Sequence, residues 1–276
     1  MAISCLMVHW LNHIKKAGFF KQGESLLEFG PQDITASKKT VESVAYENVK
    51  YDASWIIQNI FDGDIPKFNT QKYFYKIFGF NNYKSLDAFD RRADYRYDLN
   101  YLFDPASEYK YDLNYVRAPS EKFFSITNFG TSEHCFNIAA SFHTAHNFLQ
   151  PGGIFLYVLP AFGHINHGFY NIHPNVYTNL AIYNDYEILD FRYIDNFGVR
   201  CLCVEQDDYK PFDFENLPIK YNDTIDDGIK KKVADLFVKN ALSEDTKKFS
   251  QVGIFDYCFV ALRKKNEKPF KIPSQY

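Results

Sequence analysis

Apolar side chains recur along the chain with two periods, and the change from one to the other marks out its elements. Ile3, Leu6, Met7, Trp10, Leu11 and Ile14 fall at i, i+3, i+4 and i+7 spacing, the stripe of a helix with one face on a core. Gly18 stands where such a helix ends, so a helix is expected over 3–17. Ser25-Leu26-Leu27-Glu28-Phe29-Gly30 reads as a short strand running into a Gly-Pro turn. A helix over 38–48 turns Val41, Val44 and Ala45 inward, and further helical pieces are expected over 51–61 and 71–78. Strands are expected over 83–87, 123–128, 154–159, 186–194 and 254–262. Helices are expected over 133–150, 176–183 and near 229–240, with Pro151-Gly152-Gly153 closing the one that begins at Glu133.

Strand and helix alternating at this spacing predict an α/β fold with a mainly parallel central sheet and helices on both faces. The whole of 1–276 is expected to be a single domain, with insertions at about 35–80 and a polar one at about 207–250. Sheets of this kind bind ligands beyond the carboxyl ends of their strands, where strand order reverses. That directs attention to the loops after Phe29, Leu86, Asn128 and Leu159.

Composition narrows the classes of partner. The 276 residues carry 31 basic and 34 acidic side chains, a net charge of −3, which gives no electrostatic reason to expect nucleic acid or an anionic membrane surface. No apolar run is long enough to span a bilayer. The 28 Phe and 21 Tyr are spread over the chain, as packing residues would be. Five cysteines, an odd number with no C-x-x-C, indicate neither a disulfide framework nor a zinc knuckle. Cys201 and Cys203 would share a strand face. No basic segment precedes the apolar N-terminal stretch, so a signal peptide is not expected, and the chain reads as reduced and cytoplasmic.

The strand-end loops carry candidate chemistry in a fixed order. Glu28 and Gly30 end the first strand, where a glycine lets a ligand approach the backbone. Asp87 ends the second, a carboxylate suited to two ribose hydroxyls. Asp98-Leu99-Asn100 follows, with a twin at Asp112. Asn128-Phe129-Gly130-Thr131-Ser132-Glu133-His134 comes after the next strand, and Gln150-Pro151-Gly152-Gly153 precedes the one after that.

In order and spacing this series resembles the class I, Rossmann-like S-adenosylmethionine-dependent methyltransferases, over roughly residues 20–200 plus the last strand. The resemblance implies a Rossmann-like methyltransferase fold and S-adenosyl-L-methionine as cofactor. It implies Glu28 and Gly30 at the methionine part of the cofactor, Asp87 at the ribose, and Asp98 or Asp112 at the adenine amine. Asn128, Phe129 and Gly130 would lie beside the methyl group. Asp98 is preferred over Asp112 because 91–95 is too short for a crossover helix and suits direct strand pairing. Two departures stand out. Gln32 and Ile34 occupy positions where the family usually has further glycines, and about 50 residues separate the first two strands.

Six of the eight histidines lie between His134 and His173. His134, His164 and His167 sit in loops expected to face one cleft, and a histidine beside the methyl group would position or deprotonate an oxygen or nitrogen acceptor. His146, inside a helix, reads as a packing residue, and Arg91-Arg92 as a solvated pair, or alternatively as a pair that neutralises an acidic substrate. Glu133, His164 and His167 are possible metal ligands, but neither H-E-x-x-H nor a two-His-one-carboxylate spacing is present, and no metal is expected. The acceptor class is a small molecule or sugar, with oligomeric state left open. Two alternatives remain: a protein that keeps the fold without turnover, and a metal-dependent enzyme built on the histidines. A nicotinamide oxidoreductase is disfavoured because the first strand lacks G-x-G-x-x-G.

Overall fold

Two long crossovers and a set of near-continuous apolar runs dictate the sheet. The computed structural model describes residues 2–102, 121–164, 167–195, 201–203 and 256–274. Its main strands are β1 (Ser25–Phe29), β2 (Asn82–Asp87), β3 (Tyr95–Arg96), β4 (Phe123–Phe129), β5 (Leu149–Phe162), β6 (Tyr186–Asp195), β7 (Cys201–Cys203) and β8 (Asp256–Lys264). They form one eight-stranded sheet in the order β3-β2-β1-β4-β5-β8-β6-β7. β1 pairs in parallel with both β2 and β4, β4 with β5, and β2 with β3. β8 runs antiparallel to β5 and β6. The 3-2-1-4-5 order with a reversal between β1 and β4 is that of a doubly wound Rossmann-like fold, here with an antiparallel strand wedged before β6.

Helices cover both faces, as a mainly parallel sheet requires. On one side lie α1 (Cys5–Lys16), α2 (Lys38–Val49), α3 (Ala53–Ile60) and α4 (Gln71–Lys76). On the other lie α5 (Ile138–Phe148) and α6 (Asn175–Asn184). The alternation along β5 shows how the sequence specifies this. Ile154, Leu156 and Val158 join the core under α1–α4, whereas Phe155, Tyr157 and Leu159 join the core under α5 and α6. Each such side chain contributes roughly 1.5–3 kcal/mol of transfer free energy when fully buried.

Local signals account for the helix ends. Ser4 Oγ accepts the Met7 N–H at the start of α1, and Gly18, at φ +81°, follows its last turn. Trp10 on the inner stripe packs edge-on against Phe129 and Phe259, and its indole N–H donates to Asp190 on β6 at 2.7 Å. The 35–80 insertion folds as α2–α4, whose buried residues Val41, Val44, Ile56, Ile60 and Phe74 extend the same core.

Two expectations are corrected. The segment after β4 is not one helix from Glu133: a tight turn over Ser132–His134 comes first, and α5 starts at Ile138 with Asn137 Oδ1 accepting the Ala140 N–H. Asn128 causes this, because its side chain binds the Ser132 N–H and hydroxyl and holds the chain in a turn. Pro151-Gly152-Gly153 does not lie outside the sheet either. It sits within β5 as an irregularity in which Leu149 faces Phe123 and Ile154 faces Ser125. A Cβ at Gly153 would come 2.7 Å from the Phe124 carbonyl oxygen, so glycine is needed for that approach. The expected β3 pairing is observed, with Leu86 opposite Tyr95 and Asp87 opposite Arg96. The helix near 229–240, the polar insertion and Asp112 lie outside the described residues. Among the described residues no helix is long and apolar enough to cross a membrane.

Candidate active site

The carboxyl ends of β1, β2 and β4 surround a cleft of about 360 Å³ lined by Gly30, Pro31, Gln32, Asp33, Asp87, Asp90, Arg92, Gly130, Thr131 and His134. It lies at the β1/β4 reversal, where the fold leaves a crevice. A larger space of about 480 Å³ between α2 and α3 is lined by residues such as Lys38, Glu42 and Tyr46, and none of its lining residues lies at the carboxyl end of a strand of the central sheet.

Gly30 turns the chain out of β1 at φ +70°. A Cβ there would meet Thr131 Oγ1 at 2.6 Å, and that hydroxyl donates to the Phe29 carbonyl at 2.6 Å, stitching the β4 loop to the β1 loop. Gln32 folds back so that its amide donates to the Gly30 carbonyl at 2.9 Å. The side chain that replaces a family glycine therefore serves as part of the loop. Ile34 points into the core and pairs with Ile3 across a short parallel bridge, away from the cleft.

Asp87 lines the cleft at the tip of β2. Its Oδ1 accepts the N–H groups of Phe89 at 2.7 Å and Asp90 at 2.8 Å, which fixes the carboxylate. Arg92 is no solvated loop residue. Its guanidinium binds Asp90 through two nitrogens, the Pro31 carbonyl at 2.9 Å and the Asp33 carboxylate, and lies over the Phe68 ring. It thus joins the loops after β1 and β2, and these carboxylates hold it firmly protonated. In the sequence Arg92 reads as half of a solvated pair or as a counter-charge to an acidic substrate, and the signal for its bridging role is the Asp90-x-Arg92 spacing at a strand end.

Four expected cofactor contacts do not line the cleft, three of them because they are buried. Glu28 is fully buried, with Tyr75 donating to Oε1 at 2.7 Å, Tyr83 to Oε2 at 2.6 Å and the Gln32 N–H to Oε2 at 3.3 Å. Burial raises its pKa to about 7 against the lowering effect of these donors. Asn128 is buried beneath the turn it holds, and Phe129 packs in the core against Trp10. All three shape the loops from below. Asp98 lies in the loop after β3, with its Oδ1 held by the Asn100 N–H and side-chain amide. It is not among the residues lining the cleft.

The histidines do converge. The His134 and His167 ring centroids are 4.8 Å apart and those of His167 and His164 are 5.5 Å apart, with Tyr257 4.5 Å beyond His164. His134 lines the cleft, and burial holds its pKa below the usual imidazole value, with Glu133 opposing. His146 is elsewhere and structural. It bonds Tyr186 and the Lys268 carbonyl, and burial first, then the Lys264 charge, lower its pKa to about 4.

No protein-family model and no curated protein matches this chain. Solved structures similar to it include the YcgJ protein from Bacillus subtilis, at 12% identity over 94% of this chain and 99% of that one, with a TM-score of 0.45. A SAM-dependent methyltransferase from Thiobacillus denitrificans in complex with S-adenosyl-L-homocysteine shares 11% identity over 93% and 91%, with a TM-score of 0.40. One from Geobacter sulfurreducens, also in that complex, shares 12% over 93% and 90%, with a TM-score of 0.39. At such values the likeness carries no weight for the site; the Rossmann-like fold stands on the chain's own strand order.

Proposed function

We propose that this chain is an S-adenosyl-L-methionine-dependent methyltransferase acting on an oxygen or nitrogen atom of a small molecule or sugar. The observation that carries this reading is Asp87, held by two backbone N–H groups on the lip of a cleft at the β1/β4 reversal. Ribose hydroxyls are donors such a carboxylate accepts. Three aspartates and one arginine line the cleft, a balance that suits a ligand with a sulfonium and an ammonium group and a single carboxylate. Arg92 is placed to take that carboxylate. Gly30 and Gly130 bring backbone to the same space, and Asp98, in the loop after β3, is assigned to the adenine amine on this reading.

The sulfonium supplies the activated methyl group. What remains for the protein is to align the acceptor and remove its proton. His134, at the cleft wall, and His164 and His167 beside it are the groups for that work. Glu28, Asn128 and Phe129 act by holding the loops in shape.

Calorimetry with S-adenosylhomocysteine tests the reading. A Kd in the range of about 1 µM–1 mM is expected, weakened at least tenfold by Asp87→Ala. No heat at millimolar ligand favours the alternative, a protein that keeps the fold without binding the cofactor.

A further inference from the structure

Glu133 stands in the turn after β4 with 0% of its surface exposed. Among the described residues neither of its carboxylate oxygens has a hydrogen-bond partner. A carboxylate taken out of water without donors is costly to the fold unless a cation meets it. Two imidazoles face it: His167 Nε2 lies 3.4 Å from Oε1 and His134 Nε2 lies 3.9 Å from it. One ligand atom from each of the three residues lies within 4.8 Å of the others. Ligands bound tetrahedrally to zinc at about 2.0–2.1 Å are about 3.3 Å from one another, so the His167–Glu133 pair already stands near that separation and the widest pair needs to close by at most about 1.5 Å. His134 and His167 are 45% and 34% exposed, which leaves a path from solvent.

The approach of His167 to Glu133 is fixed by backbone. Phe169 and Tyr170 donate their N–H groups to the Glu133 carbonyl at 2.8 and 3.3 Å. A Cβ on Gly168 would lie 2.8 Å from that same oxygen. Only glycine allows this contact, and the contact seats the preceding histidine against the buried carboxylate.

We infer that Glu133, His134 and His167 form a three-ligand site for a divalent transition metal of the zinc type, at the edge of the cleft. Two imidazoles and one carboxylate suit zinc, cobalt or iron better than magnesium or calcium, which favour all-oxygen shells. Three protein ligands leave a position for an outside oxygen, as in catalytic rather than structural zinc sites. That position would take an acceptor hydroxyl and lower its pKa, its proton leaving to His164 or to water, while His134 and His167, once they ligate the ion, place the acceptor instead of serving as the base. This role rests on the methyl-transfer reading; the binding of the ion does not. The ligands escaped the sequence motifs because two are adjacent in the chain and the third arrives from the loop after β5.

Untagged full-length protein, stripped of metal, is titrated with Co²⁺. One equivalent is expected to bind with a Kd of about 1 µM or tighter, to give visible absorption bands of a nitrogen- and oxygen-ligated ion, and to be displaced by Zn²⁺. Glu133→Gln and His167→Ala should each weaken binding at least tenfold, with His9→Ala and His173→Ala unchanged. The Gln variant keeps the shape of the buried side chain and removes its charge. His167 is partly exposed, so the two variants do not share one risk of misfolding, and thermal melting of each confirms a folded sample. Titration of the same samples with S-adenosylhomocysteine separates the two readings: Co²⁺ binding without cofactor binding leaves the metal site standing and removes the methyl donor. A Co²⁺ affinity weaker than about 1 mM, or binding unchanged in both Glu133→Gln and His167→Ala, overturns the inference.

Discussion

Glu28 is one residue through which pH acts on this fold. Its pKa is raised by burial to about 7, so between the unfolded value near 4.5 and that value the folded state holds the extra proton. Its contribution is therefore fully present below about pH 4.5 and lost as pH rises through 7. His146 works in the opposite sense. Its pKa is lowered to about 4, so its contribution is present above about 6.5 and lost as pH falls. The two offset each other between about pH 4.5 and 6.5, and the wild-type profile alone will hide both. Glu28→Gln separates them: relative to wild type it should gain up to about 3 kcal/mol between pH 4.5 and 7.5, measured by urea unfolding across that range. A difference that does not change with pH would contradict the burial of this carboxyl. Glu28 was legible as a strand-end acid but not as a buried one. Its partners Tyr75 and Tyr83 are 47 and 55 residues away in sequence, and periodicity does not reveal which strand-end side chain turns inward.

Among the elements, α5 shows what local pattern leaves out. The apolar spacing from Glu133 onward is continuous enough to suggest one helix, yet the chain first makes a turn held by the Asn128 side chain and begins the helix at Ile138, just after Asn137. That residue caps α5 and also receives Asn100, whose side-chain carbonyl accepts the Asn137 N–H at 3.0 Å. Asn137→Ala should cost about 1 kcal/mol, a typical loss for a helix cap, read from thermal or chemical unfolding. A neutral result would mean that Asn137 does not cap the helix. The strands were more readable. With helices on both faces of the sheet, its central strands are buried on both sides, and the unbroken apolar run Ile154–Leu159 of β5 stands out, whereas β1 and β4 carry buried polar residues such as Glu28, Ser125 and Thr127 among their apolar ones. β3 was legible for a steric reason, since five residues cannot form a crossover helix and must lead straight into pairing.

Across the whole molecule, the cleft is made where loops distant in sequence meet, and Arg92 is the group that ties them. It spans from Asp90 after β2 to Pro31 and Asp33 after β1, contacts 59 and 61 residues apart in sequence, so an arginine expected to be solvated became part of the site. Arg92→Ala leaves Asp33 and Asp90 without their shared cation beside a ligand carboxylate. It should weaken S-adenosylhomocysteine binding at least tenfold, about 1.4 kcal/mol, as read by calorimetry. Lysine should rescue it only in part, because a point charge cannot bind both loops through a planar fork. Unchanged affinity in Arg92→Ala would remove Arg92 from the binding site.

The crevice at the β1/β4 reversal is the centre of this account, and a crystal structure of the full chain grown with S-adenosylhomocysteine tests it most directly. Ligand density is expected between Gly30 and Gly130, with ribose hydroxyls within hydrogen-bond distance of Asp87 and the sulfur directed toward His134. Density confined to the space between α2 and α3, or an empty crevice at saturating ligand, would contradict it.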